Sequence, residues 1–139
     1  MNAEVVLDTN ILVYAVSTAL HEAAKAEIAG RLLAAGNAGV SGQILQEFFV
    51  TLTRKGPTPL SIPDAIDWLE TLDGLPCVAV DAPLVRLGAD IALRYQISYW
   101  DGAVLAAAHR LNATTLYTED LNHDQTYGSV RVVNPFRAN

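Results

Sequence analysis

Asp8, Glu47, Asp101 and Asp120 are the residues whose types and positions in this chain carry chemistry. Asp8 ends the apolar run Val5, Val6, Leu7 and is followed by Thr9 and Asn10. An apolar run this short, stopped by a carboxylate and two small polar groups, reads as a buried parallel strand delivering side chains to its carboxyl edge. That edge is where open α/β sheets keep their reactive groups. An isolated Asp-Thr-Asn also suits the cap of a helix starting near Ile11, so the meaning of Asp8 rests on the other three acids.

Asp101 stands at the start of a helix, three residues after Ser98, on the stripe formed by Val104, Leu105 and Ala108. That stripe should face the protein, where an unpartnered carboxylate is costly. The same spacing from Ser98 also fits a capping box. Glu47 lies off the apolar arc of its helix, and Asp120 follows a strand in the polar stretch Thr118 to Asp124. Each of these two, alone, is an ordinary surface charge.

Together the four have a definite use. Several carboxylates within a few ångströms cannot all stay ionised unaided. A hard divalent cation, Mg²⁺ or Mn²⁺, removes the conflict and keeps water in its shell. Such a site binds a phosphate oxygen, lowers the pKa of a bound water and aligns an in-line displacement, so phosphodiester hydrolysis is the predicted reaction. Thr9, Asn10 and Thr118 are placed to orient the carboxylates, or to make local cap and turn hydrogen bonds.

The elements that must position these groups follow from the apolar periodicity. Strands are predicted at Val5–Leu7, Ala38–Ser41, Cys77–Val80, Thr115–Tyr117 and Val130–Val133. Helices are predicted near Ile11, at His21–Ala35 with Gly36 ending it, and from Gly42 to about Arg54 with Ser41 as cap. Gly56, Pro57 and Pro59 close that third helix, and others run from Pro63 to Leu72, Pro83 to Tyr95 and Tyr99 to Leu111. Alternating short strands and helices predict an α/β fold, a three-layer sandwich with a central, mostly parallel sheet flanked by helices. A helix feeding a parallel strand runs opposite to it, so the helices at Gly42 and Tyr99 begin at the edge where Asp8 and Asp120 end their strands.

Composition sets the bounds. With 139 residues, 51% of them hydrophobic, one domain spanning 1–139 is expected. The single cysteine, Cys77, suits a reducing compartment and a buried apolar role, and no segment has the length or character of a membrane span or leader. A soluble cytoplasmic protein with no membrane association is the expectation. The net charge of −6 argues against holding nucleic acid by bulk positive charge. Setting the four site acids aside leaves eleven acids against nine bases, which permits a polyanionic substrate once a metal neutralises the site.

Val5-Val6-Leu7-Asp8-Thr9-Asn10, the glutamate of Gln46-Glu47-Phe48, the helix start Trp100-Asp101-Gly102 and Thr118-Glu119-Asp120 together resemble the four acidic motifs of the PIN domain. In length and motif order the chain is similar to the VapC ribonuclease toxins of bacterial type II toxin–antitoxin pairs. The resemblance covers essentially the whole chain and implies a PIN-like nuclease domain. It also implies a Mg²⁺-dependent endoribonuclease acting on RNA, a homodimer, and an antitoxin partner of the VapB kind that blocks the site. Motif for motif, Asp8 and Asp101 become direct metal ligands, Glu47 completes the triad and Asp120 matches the fourth acid. Asp124 lies close by, where a small residue is expected, so that fourth role is open between Asp120 and Asp124.

Two other readings are weighed against this one. A phosphatase of the haloacid-dehalogenase kind also places an aspartate after its first strand, but it needs a second acid two residues later, and that position is Asn10. A catalytically silent PIN-like module would use its acids only to receive a basic partner segment. Arg54 with Lys55, or Arg86 with Arg94, are candidate phosphate contacts or plain solvated charges, while His109 and His123 lack metal-ligand spacing. Trp68, Trp100, Phe48 and Phe49 read as core or interface residues.

Overall fold

The computed structural model describes residues 1–54 and 59–137. Its elements are β1 (Val5–Leu7), α1 (Thr9–Val16), a 3-10 turn (Leu20–Glu22), α2 (Ala23–Ala34), β2 (Ala38–Ser41), α3 (Gly42–Arg54) and α4 (Ile62–Leu72). β3 (Cys77–Val78), α5 (Ala82–Tyr95), α6 (Tyr99–Arg110), β4 (Thr115–Tyr117), β5 (Thr126–Tyr127) and β6 (Val130–Val133) complete them. The strands form one sheet in the order β3-β2-β1-β4-β6-β5, parallel except for β5, which runs antiparallel to β6. The sheet is flanked by helices: α1 packs on α2 and α3, α3 on α4, and α5 on α6. This is the expected α/β sandwich.

β1 is central, and all three of its residues are buried, which explains why it reads as a continuous apolar run without alternation. Leu7 is level with Tyr117, so Asp8 and Thr118 stand side by side one step past the paired strand ends. The Asp8 amide donates to Tyr117 O at 3.1 Å, carrying the register one bond further. On the other side Val6 is level with Gly39, and Ser41 ends β2 with its hydroxyl accepting from the Ile44 amide at 3.2 Å. Ser41 therefore caps α3 as its sequence position predicts. α3 buries Ile44, Phe48 and Leu52 and half-buries Leu45 and Phe49, so Glu47 is turned to solvent at the sheet edge.

α6 is the most deeply buried helix, enclosed from Gly102 through Ala108. Its first turn lies hard against α5: a Cβ on Gly102 would come within 2.4 Å of Gly88 O, and one on Gly88 within 3.0 Å of Ala103 Cα. Two glycines facing each other let the backbones approach, and that approach fixes where Asp101 begins its helix.

The structure departs from the sequence reading in a few places. The first turn expected of the second helix is a 3-10 turn, and α2 begins at Ala23; Gly36, at φ 80°, follows its end in the left-handed region glycine favours. β3 stops at Val78, and Ala79 and Val80 are exposed, because β3 is an edge strand with a neighbour on one side only. β5 was not expected: two residues are too few to show a period, and its pairing is made by the turn at Gly128, φ 63°. Gly56 and Pro57, expected to close α3, and Lys55 lie outside the described residues. Among the described residues no helix is long and apolar enough to cross a membrane.

Candidate active site

Asp8 is buried and doubly held. Its Oδ1 accepts the Thr9 amide at 2.7 Å, and its Oδ2 accepts the Thr118 hydroxyl at 2.8 Å. It is at once the N-cap of α1 and an acid aimed along the sheet edge, so the two readings of Asp-Thr-Asn are both met. Burial pushes the Asp8 carboxyl up to about 6; the hydrogen bonds from Thr118 and Thr9 oppose this, and the Asp120 and Glu47 carboxylates add to it.

Glu47 projects from α3 toward the same place. Its Oε2 accepts the Thr9 hydroxyl at 3.1 Å, and its Oε1 accepts Gln43 Nε2 at 3.0 Å from one helical turn earlier. The Thr9 hydroxyl also lies 3.3 Å from Ile44 O, an alternative acceptor for its one hydrogen. Asp120 is exposed; its amide donates to the Thr118 hydroxyl at 3.1 Å, and Asn10 Nδ2 reaches its Oδ1 at 3.5 Å. Burial raises the Asp120 carboxyl above its ordinary value, followed by the charges of Asp101, Glu119 and Glu47. Asn10 Oδ1 is buried with no hydrogen-bond partner among the described residues.

A cavity of about 320 Å³ opens beside these groups. Asp8, Glu47 and Asp120 line it with Thr9 and Asn10, and Val13, Tyr14, Glu22 and Thr51 complete the wall. Asp101 does not line it. Half-buried at the start of α6, Asp101 donates its amide to Ser98 Oγ at 3.1 Å, and its charge acts on the site through Asp120. Three of the four predicted acids thus share the cavity, with the fourth just outside. Among the described residues no three His, Cys, Asp or Glu side chains stand as a ready-made metal cage.

Asp124 is taken elsewhere. It pairs with Arg131, lies 3.2 Å from His123 Nε2, and its carboxyl is held below the usual range by Arg131. Its φ of 68° is in the left-handed region. His123 Nδ1 accepts the Asn134 amide at 3.0 Å, a structural role. Arg94 lies over the Tyr95 ring at 5.6 Å, away from the cavity. Phe48 is core as expected, whereas Trp100, next to Asp101, is 63% exposed.

Sequence reasoning did not single out Glu22, Thr51, Tyr14 or Gln43. Gln43 and Thr51 stand four residues on either side of Glu47, so helical spacing contained their signal. Glu22 ends the 3-10 turn, and the Ser17 hydroxyl donates to its Oε1 at 2.6 Å. Nothing in the local sequence marks that placement.

The family model described as PIN domain matches residues 5–129. A toxin–antitoxin complex from Klebsiella pneumoniae has a chain 17% identical to this one, covering 96% of this chain and 99% of that one, with a TM-score of 0.72. VapC20 of Mycobacterium tuberculosis, described as a sarcin-ricin loop cleaving toxin, is 17% identical over 84% of this chain and 89% of its own, with a TM-score of 0.65. VapBC2 from Rickettsia felis, bound to a DNA fragment from its promoter, is 20% identical over 92% and 96%, with a TM-score of 0.61. No curated protein matches the chain in sequence. At these identities the likeness to the solved structures is one of fold. The family match runs from the strand that carries Asp8 past the segment that carries Asp120, across most of the sequence, and the chain belongs to the PIN domain family.

Proposed function

We infer that this protein is a metal-dependent endoribonuclease that hydrolyses RNA phosphodiester bonds, acting in the cytoplasm as the toxin of a type II toxin–antitoxin pair. The observation that carries the reading is the cavity edge where Asp8, its carboxyl raised to about 6, faces Glu47 and Asp120. PIN family membership and the descriptions of the similar structures support the same reading.

The residues suit a hard divalent cation. The site donors are all oxygens, carboxylates crowd each other's charge, and Asn10 Oδ1 is buried without a partner among the described residues. Asp8 and Asp101 are the proposed direct ligands, with Glu47 and Asp120 completing the acidic set and Mg²⁺ or Mn²⁺ as the ion. When bound, the metal supplies charge for the phosphate oxygens and a water of lowered pKa. The chain's own groups do the orienting. Thr118 and the Thr9 amide fix both oxygens of Asp8, and Thr9 with Gln43 fixes both oxygens of Glu47. A carboxylate held at both oxygens presents a set direction, and little is lost in ordering it when substrate arrives.

A VapB-like antitoxin covering the acidic edge, and a homodimer, belong to the same proposal. The experiment is cleavage of RNA by the purified protein with added Mg²⁺ or Mn²⁺, compared with Asp8→Asn and with chelator. Cleavage that needs metal and is lost in Asp8→Asn supports the reading; full activity of Asp8→Asn ends it. A covalent phosphate on Asp8 would instead indicate the aspartyl-nucleophile phosphatase.

A further inference from the structure

Behind the cavity wall stands a cation whose contacts come from three other parts of the chain. Lys25 Nζ, on α2, donates to Glu119 Oε2 at 2.8 Å and to the Tyr14 hydroxyl at 3.2 Å. It lies 4.7 Å from the centre of the Tyr14 ring and 5.2 Å from that of Phe136, and these rings meet edge to face at 5.0 Å. The ion pair is sheltered: its side chains are 40% and 25% exposed, against 76% and 65% for the surface pair Arg31–Glu27. Partial burial and aromatic faces strengthen such a pair relative to one in open solvent.

The pair matters because of what Glu119 adjoins. Asp120 is exposed, and its own side chain has one long contact, the 3.5 Å approach of Asn10. Its position is therefore set through the backbone. Both anchors lie just before it in the chain: Thr118, two residues earlier, is buried and holds the Asp120 amide, and Glu119, its immediate neighbour, has its side chain anchored by Lys25. Tyr14, the second partner of Lys25, is itself a wall of the cavity, as is Glu22, one turn before Lys25.

We propose that Lys25 is a positioning residue of the acidic site, acting through Glu119 to set the direction in which Asp120 faces the cavity and through Tyr14 to steady the part of the wall that Tyr14 forms. This deepens the nuclease reading and rests on it for its kinetic consequence. Lys25 itself does not line the cavity.

The test uses the full chain carrying Lys25→Met, Lys25→Arg, Glu119→Gln and the Lys25→Met/Glu119→Gln pair. Lys25→Met keeps the stem over the rings and removes the charge. On an RNA that the parent cleaves, Lys25→Met and Glu119→Gln each lower kcat about tenfold with KM nearly unchanged, the double variant is no worse than either, and Lys25→Arg recovers most of the loss. A second readout needs no activity. Amide hydrogen exchange at Asp120, whose amide is bonded to Thr118, speeds up about tenfold in Lys25→Met while the amides of β1, β4 and β6 keep the parent rate. Should Lys25→Met fail to fold, Glu119→Gln is held to the same standard. Parent kcat in the single variants, losses that multiply in the double, a loss confined to KM, or faster exchange across the whole sheet each overturns the proposal. If the parent does not cleave RNA, the nuclease reading falls, and the exchange measurement still decides whether Lys25 holds the Asp120 segment.

Discussion

Thr118 and Asp8, one residue past the paired ends of β4 and β1, are joined by a 2.8 Å hydrogen bond in which the hydroxyl donates to Oδ2. The same hydroxyl accepts the Asp120 amide at 3.1 Å, so its one hydrogen is committed to Asp8 and its lone pair to Asp120. Two acids far apart in sequence are thereby referred to a single buried atom.

Replacing Thr118 by Val keeps the shape and removes both bonds. The expected result is a loss of about 1–3 kcal/mol in stability, from an unmet buried acceptor and amide, with RNA cleavage down about 10- to 100-fold. Urea unfolding and single-turnover cleavage measure the two. Thr118→Ser, which keeps the hydroxyl, retains most of the activity.

Burial of the Asp8 carboxyl costs stability. The carboxyl is raised to about 6 from an ordinary 3.8, so between those values the folded chain holds a proton that the unfolded chain has released. Stability of the metal-free protein therefore falls as pH rises from about 4 to 6, by up to roughly 3 kcal/mol for this group. Asp8→Asn removes the titration and abolishes cleavage, yet it is expected to be more stable than the parent at pH 7 without metal, by about 1–3 kcal/mol. Denaturant melts of both proteins at pH 4.5 and 7, compared as a difference, isolate the effect. A parent whose advantage grows with pH across this window contradicts it.

Metal gives the complementary signature. Millimolar Mg²⁺ or Mn²⁺ raises the melting temperature of the parent, because a ligand bound only to the folded state stabilises it, and the shift disappears in Asp8→Asn. Equal shifts in the two proteins would place the ion away from Asp8.

Gln43 holds Glu47 Oε1 from within the same helix and is itself buried. Gln43→Leu leaves the size of the side chain nearly unchanged while freeing that oxygen, so folding is kept and kcat drops about tenfold. A circular-dichroism melt beside the kinetics separates the two effects.

Gly102→Ala tests the seat of α6. The new Cβ would meet Gly88 O, a backbone atom that cannot swing aside, so a cost of about 1–3 kcal/mol is expected together with displacement of Asp101. The unfolding midpoint in urea reads the first and metal-dependent cleavage the second.

Much of this was legible from residue order. Val5 to Leu7 announce a buried central strand because an all-parallel interior strand has no polar face, and Ile44, Phe48 and Leu52 mark the face of α3 that leaves Glu47 outside. Asp124 is paired with Arg131, while Asp120 is the acid beside Asn10, a choice between the two that local sequence leaves open. Asp101 was harder: periodicity puts it on the buried stripe, while the cap at Ser98 holds it half out, beside the cavity. Lys25 and Glu119 were not legible at all. They meet across 94 positions, and neither spacing nor composition encodes a contact between α2 and the segment after β4 that only the tertiary fold creates.

Both margins of the sheet, β3 and β5, are two residues long. A neighbouring polypeptide seeking to extend the ladder would find only a pair of backbone steps at either border, so strand addition has little to hold. The uncovered apolar side chains lie instead on the helical flanks, among them Val85 and Leu93 of α5 and Ile62 and Ile66 of α4.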